Sequence, residues 1–139
     1  VDFDKRKKLL DNIISKEKES TVLEYVSKHQ ASGAQKIFLI RKLLQFRRRS
    51  PELFNKGQYL PVAGTPGLLA YIRKYRDQQL LIVVPLPSTD TAMNVSGIYG
   101  IRGRWKSLFG NQSVTLEDSI DASTLLKEFP VAALILQND

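Results

Sequence analysis

The apolar residues of this chain change their spacing once, near Gly57, and that change restricts the fold more than any other feature of the sequence. Before it, apolar side chains recur at the three- and four-residue intervals of a helix surface. After it, they alternate or run together as they do in strands. Helices in one block and strands in the next predict an α+β chain, not the interleaved order of a parallel sheet. Two regions follow: a helical segment over residues 1–50 and a β region over residues 51–139, read as an antiparallel β-sandwich.

In FDKRKKLLDNIIS, Phe3, Leu9, Leu10, Ile13 and Ile14 have helix spacing, with charged residues opposite. Asp2 and Asp4 stand where a helix N-terminus favours negative charge. Thr21 and Glu24 have the spacing of a capping box, in which each side chain satisfies a free backbone N–H at the start of a second helix. Ala31-Ser32-Gly33 ends that helix. A third helix is predicted from about Ala34 to Arg49, with Ile37, Phe38, Ile40, Leu43, Leu44 and Phe46 forming a wide apolar face. Lys36, Arg41, Arg47, Arg48 and Arg49 crowd the rest.

The segment RRRSPELFNKGQYLPV, Arg47 to Val62, joins the two periods. Cations in the last turn of a helix are favoured by its dipole, by about 0.3–1 kcal/mol each at exposed sites. Ser50-Pro51 fits a helix stop and a restart, with Ser as N-cap and Pro at the first helical position. Gly57 fits the glycine that follows a short helical turn. Tyr59 to Val62 then reads as a short strand, with Pro61 marking an edge.

Gly67 to Tyr75 alternates, placing Leu69, Tyr71, Arg73 and Tyr75 on one face and Leu68, Ala70, Ile72 and Lys74 on the other. Arg76 to Gln79 supplies a turn, and LLIVVP, Leu80 to Pro85, reads as a strand buried on both faces. The two make a hairpin. Residues 87–97 are polar and loop-like, two or three short strands are expected between Ile98 and Leu116, and Asp121 is placed to cap a short helix over Ala122 to Glu128. VAALIL, Val131 to Leu136, is a closing buried strand.

Composition narrows the chemistry. There is no cysteine, so disulfides, thiolate metal sites and cysteine nucleophiles are excluded, and a single histidine, His29, excludes a histidine-rich metal site. No apolar run approaches the ~20 residues that cross a bilayer. VDFDKRKKLL has no apolar core of a signal peptide, so a cytoplasmic setting is expected, and the absence of an initiator Met fits a piece of a longer chain. The net charge of +7 is concentrated: residues 1–50 hold 13 Lys/Arg against 6 Asp/Glu, whereas the later regions are close to balanced.

No glycine loop for phosphate, no nucleophile elbow and no paired acids are evident, so no catalytic residue, metal or cofactor is assigned. Trp105, flanked by Arg104 and Lys106 in RGRWKSLFG, together with Tyr71 and Tyr75, are the candidate platforms for a sugar or base ring. The stronger reading of Trp105 is a core or edge aromatic of the sheet. Lys5 to Lys8 and Arg41 to Arg49 are the candidate nucleic-acid contacts, but the aromatics of that helix, Phe38 and Phe46, fall on its apolar side. A solvated or docking face is therefore the expected role of the cluster, and nucleic acid is not the expected partner.

The order of these segments resembles a known family. KIFLIRKLLQFRRRSPELFNKGQYLPV looks like the end of the catalytic barrel in α-amylase-type glycoside hydrolases, where the last barrel helix runs into the C-terminal β-sandwich. More narrowly, VDFDKRKKLL, SPELFNKGQYLPV, LLAYIRKYRDQQLLIVVP, RWKSLFG and LLKEFPVAALIL resemble, in order, the C-terminal region of the maltooligosyl trehalose synthase family. The chain departs from that family at Leu86, where a basic residue is usual, and over residues 87–97. The resemblance implies an intramolecular glucosyl transferase that turns the reducing-end α-1,4 linkage of a maltooligosaccharide into an α,α-1,1 linkage, in the biosynthesis of trehalose. Its catalytic acids would lie on barrel strands before Val1, so none is carried over to this chain. The implied partners are that catalytic barrel, packed against the helix of residues 34–49, and maltooligosaccharide in the full-length enzyme. Without the barrel, the exposed apolar face of that helix invites dimerisation.

Overall fold

The computed structural model describes residues 2–18, 21–87 and 97–138, with Lys18 described through its backbone only. The chain divides into two compact units, Val1–Arg49 and Ser50–Asp139.

The first unit is helical. Helix α1 spans Phe3–Lys18, α2 spans Val22–Lys28, a single 3-10 turn covers Gln30–Ser32, and α3 spans Ala34–Arg49. Asp2 opens α1 as read, its Oδ1 accepting from the Lys5 backbone N–H at 2.9 Å. The capping box of α2 does not form. The Thr21 side chain makes no capping hydrogen bond, and the Glu24 carboxylate is taken instead by Lys28 one turn on, at 2.5 Å. Gly33 ends the 3-10 turn at φ 83°, a left-handed conformation that glycine adopts without a Cβ penalty.

Leu9, Ile13, Val26, Ala34 and Phe38 form the buried set of this unit. The anticipated apolar faces are only partly buried: Phe3 is 75% exposed, and only Phe38 of the six apolar residues read on α3 is wholly buried. Glu17 ties α1 to α3. Its Oε2 accepts from Arg41 Nε and Nη2, both at 3.1 Å, while Lys42 Nζ lies 3.2 Å from Oε1, an ion-pair distance without hydrogen-bond geometry. The three side chains are 16–26% exposed. Glu17→Ala leaves two half-buried cations without a counter-charge and is expected to cost about 1–3 kcal/mol. Urea unfolding followed by helix ellipticity checks this, and an unchanged midpoint would show the cluster to be fully solvated.

The second unit begins with α4, Pro51–Asn55, preceded by Ser50 at the N-cap position, whose hydroxyl makes no capping bond. Among the described residues seven antiparallel strands follow: β1 Gln58–Pro61, β2 Ala63–Gly64, β3 Leu68–Tyr75, β4 Gln78–Pro85, β5 Gly97–Ser107, β6 Ser113–Asp121 and β7 Ala132–Leu136. A short helix, α5, Ala122–Leu125, lies between β6 and β7 and is shorter than the sequence reading; Asp121 precedes it without a side-chain cap. The β3–β4 hairpin pairs as read, from Leu68 with Pro85 to Tyr75 with Gln78, around a two-residue turn with Arg76 at φ 52°.

The strands anticipated as a sandwich are hydrogen-bonded into one sheet of order β1-β3-β4-β7-β5-β2, with β6 added on β5. The first and last members of that order are a single extended run interrupted only by Val62. Gln58–Pro61 pairs with β3, the Val62 N–H donates to the Ala70 carbonyl at 3.0 Å, and Ala63 and Gly64 then pair with β5. The sheet therefore curls until its two edges share one strand, which leaves fewer open backbone groups than a flat sheet would.

The segment read as two or three short strands is two long ones. A bulge at Gly100, φ 78°, keeps both Ile98 and Ile101 pointing inward, so the alternation expected of one strand is broken in the sequence but not in the sheet. Ala70, Ile72, Leu81, Val83, Ile98, Ile101, Trp105, Leu116, Leu125, Ala132 and Leu134 make one core inside the curl. Most of the polar loop read over residues 87–97 lies outside the described residues.

Candidate functional site

Trp105, the first of the three candidate platforms, is 1% exposed and belongs to the core. Its indole N–H donates to the Arg102 carbonyl at 3.2 Å, so the one polar atom of the ring is satisfied without water. A ring enclosed on both faces offers no surface to a sugar, and the platform reading of Trp105 is corrected to a packing role. The fold explains why its basic neighbours misled: Arg104 and Lys106 flank it in sequence, but alternation along β5 sends them to the opposite, exposed side.

Tyr71 and Tyr75 lie on the same face of β3, with Arg73 between them. The structure does not bring them together as one platform. Arg73 Nη2 donates to the carbonyls of Phe54 at 2.7 Å and Leu53 at 3.4 Å, capping the end of α4 and fixing it over the strand. Tyr75 carries the Arg76 guanidinium 5.2 Å from its ring centre. Tyr71 instead meets Tyr59 of β1, their centroids 4.8 Å apart at an interplanar angle of 32°. Tyr59 is 53% exposed, the half-buried Tyr71 supports it, and Pro61 pairs across from Tyr71 on the same face. This pair is an exposed aromatic surface of the sheet unit. Sequence reading missed Tyr59 because only the β1–β3 register, invisible in one chain, puts it against Tyr71.

The charges near this face are held locally. Lys56 Nζ bonds Glu52 Oε1 at 2.7 Å across one turn of α4. That hydrogen bond and the ammonium charge keep the Glu52 carboxyl below its ordinary range and push Lys56 upward. A depressed carboxyl stabilises the folded chain above its unfolded pKa, and this contribution fades as pH falls through the lowered value. Lys56→Ala is expected to move the Glu52 midpoint back up, read from its carbon-13 side-chain titration; no movement would mean that Lys56 is not the cause.

His29, at the C-cap of α2 in the helical unit, stacks on Tyr25 at 4.2 Å, with Nδ1 2.8 Å from the Tyr25 carbonyl oxygen. A shallow groove of about 280 Å³ runs beside them between Lys16, Thr21, Glu24 and Lys28. Among the described residues no cluster of three or more His, Asp or Glu has the geometry to hold a metal ion, and no helix is long and apolar enough to cross a membrane.

A helical unit followed by a curled antiparallel sheet, with its candidate side chains spent on packing, helix capping and one exposed aromatic pair, defines the chain as an α+β module. The same fold is found within a solved enzyme. The chain is similar to a mutant form of maltooligosyltrehalose synthase from Arthrobacter ramosus with a TM-score of 0.66 and 17% identity, over 99% of this chain and 17% of that one. It is similar to another structure of maltooligosyltrehalose synthase from the same organism with a TM-score of 0.58 and 16% identity, over 76% of this chain and 14% of that one. The chain thus spans only a small part of the length of the enzyme it matches. No protein-family profile matches it, and no curated protein matches its sequence.

Proposed function

We propose that this chain is the C-terminal, non-catalytic part of a maltooligosyl trehalose synthase. In that enzyme the reducing-end α-1,4 linkage of a maltooligosaccharide is isomerised to α,α-1,1 by intramolecular glucosyl transfer, in the cytoplasm. The observation that carries the reading is the fold likeness over 99% of the chain, in which both the helical unit and the sheet find their counterparts. The catalytic acids belong to the barrel of the longer polypeptide, and this chain contributes a scaffold that packs on it. Incubating the purified chain with maltopentaose, with product analysis by chromatography, is expected to yield no trehalose-capped product. Turnover by the chain alone would overturn the assignment.

A second reading, contact with the maltooligosaccharide itself, has one observation in its favour: the exposed Tyr59 ring backed by Tyr71. An exposed ring of this kind stacks on the apolar face of a glucose unit. Titration with maltopentaose should then broaden or shift the Tyr59 ring resonances, and Tyr59→Ala should remove the effect on Tyr71. Unmoved ring signals at saturating sugar would dismiss it.

A further inference from the structure

The outer side of the curled sheet carries a further exposed tyrosine. Ile98 is buried in the core, so alternation along β5 turns Tyr99 outward, where it is 45% exposed. Tyr99 pairs across from Ala63, and Tyr59, Pro61 and Ala63 follow one another at alternate, outward positions of the shared strand. Tyr71, paired with Pro61 on the other edge of that strand, completes the set. The rings stand at two stations, Tyr59 with Tyr71 and Tyr99 by itself. From a rise of about 3.3 Å per residue and a strand spacing of about 4.8 Å, the Cα atoms of the two stations lie about 12–14 Å apart. Between them stand only the short side chains of Pro61 and Ala63. Arg73, the cation paired across from Tyr59, is spent on the α4 carbonyls.

The second station adds polar groups to its ring. The Tyr99 phenol leans along β5 over Gly97, since a Cβ on that glycine would stand 3.8 Å from its hydroxyl oxygen. In the β5–β6 register Gly97 faces Asp121 and Tyr99 faces Ser119, both exposed and on the same outer side. The Asp121 carboxylate makes no capping bond to α5 and no ion pair among the described residues. A ring beside a carboxylate and a hydroxyl suits a sugar unit: its apolar C–H face meets the ring, and its hydroxyls donate to the oxygens.

We infer that this outer strip binds a neutral oligosaccharide laid across the shared strand, with one sugar unit on Tyr59 and another on Tyr99, where Asp121 and Ser119 accept from its hydroxyls. The inference rests on the sugar contact read at Tyr59 and adds a second station, which makes the surface selective for chain length. A single sugar unit reaches one ring. A chain that spans both gains the second contact as an intramolecular event. A nucleic-acid strand fits less well, because Glu117, Asp118 and Asp121 on β6 repel phosphates. A protein partner fits less well, because the strongest contacts of such an interface concentrate at its centre, and Pro61 and Ala63 supply no anchor there.

Titration of the whole chain with glucose and with maltopentaose, followed by nuclear magnetic resonance of the tyrosine rings, tests this. Maltopentaose should shift the Tyr59 and Tyr99 signals together and bind at least about tenfold tighter than glucose. Tyr99→Ala should remove most of that advantage and leave the glucose response of Tyr59 unchanged, and Asp121→Asn should weaken maltopentaose with circular dichroism unaltered. The comparison of the two sugars on the unsubstituted chain decides the matter even if a variant fails to fold. Shifts at Tyr59 that do not extend to Tyr99, or equal affinity for the two sugars, overturn the two-station strip and leave the single contact at Tyr59 standing. Shifts at neither ring overturn both readings. Tighter binding of single-stranded DNA than of maltopentaose at the same rings also overturns the inference.

Discussion

Trp105→Ala is expected to destabilise the sheet unit by about 3–5 kcal/mol, the cost of emptying a fully buried aromatic site. The side chain sits among Ile101, Leu116 and Leu134 in the core of the curled sheet, and its N–H is bonded to the Arg102 carbonyl. Removing it takes away dispersion contacts and leaves a cavity that the paired strands β5, β6 and β7 cannot collapse into without breaking their register. Gly103 sharpens the point. At φ 108° this exposed glycine runs close to the indole: a Cβ there would stand 2.9 Å from Leu136 Cδ1 and 3.7 Å from the Trp105 Nε1. Urea unfolding followed by far-ultraviolet ellipticity measures the loss. A change below ~1 kcal/mol would mean that the ring is not a core element. In the unsubstituted protein the single tryptophan should emit as a buried indole and show no change on titration with maltopentaose; a red-shifted, sugar-responsive emission would restore the platform reading.

Gly57→Ala is expected to cost about 2–3 kcal/mol, a large loss for one methyl group. A Cβ at this position would stand 2.1 Å from the Leu53 carbonyl oxygen and 3.3 Å from the Lys74 carbonyl oxygen. Both neighbours are backbone, one in α4 and one in β3, so neither yields by changing a rotamer. The sequence reading placed Gly57 correctly at the end of the short helix but for a different reason. Its φ is not left-handed; glycine is needed because α4, turning directly into β1, passes too close to its own carbonyls. Gly100→Ala is the control: nothing lies within 4 Å of the added carbon, so only the strain of φ 78° remains, about 1–2 kcal/mol. If the Gly57 variant unfolds at the same urea concentration as the unsubstituted chain, the junction has room that the geometry denies.

Much of the fold was legible because the determining signals are local. The period of apolar residues places α3, the β3–β4 hairpin and the final strand, and Gly33 and Ser50-Pro51 mark their ends. Where a local signal competes with a partner several residues away, the reading fails. Glu24 has capping-box spacing but meets a lysine one turn ahead, and an exposed ion pair takes its carboxylate. The long strand β5 hid for a related reason: the bulge at Gly100 shifts the inward side from even to odd positions, which in sequence looks like a strand that ends and restarts.

The candidate site was less legible than the fold. Aromatic residues are easy to find in a sequence, but whether a ring faces water depends on which strands pair and in what register. Trp105 and Tyr59 illustrate the point: of the two readings of Trp105 the core one holds, while Tyr59 went unremarked and is found at the surface beside Tyr71.

By itself the sequence determined the α+β order, the position of the junction and the one-sided charge of the first unit, since each depends on residues near one another along the chain. The curl that makes Gln58–Gly64 both first and last strand, the burial of Trp105 and the Tyr59–Tyr71 pair were decided only in three dimensions. Strand pairing joins residues far apart in the chain, and a one-residue change of register would exchange the inward and outward faces of every strand.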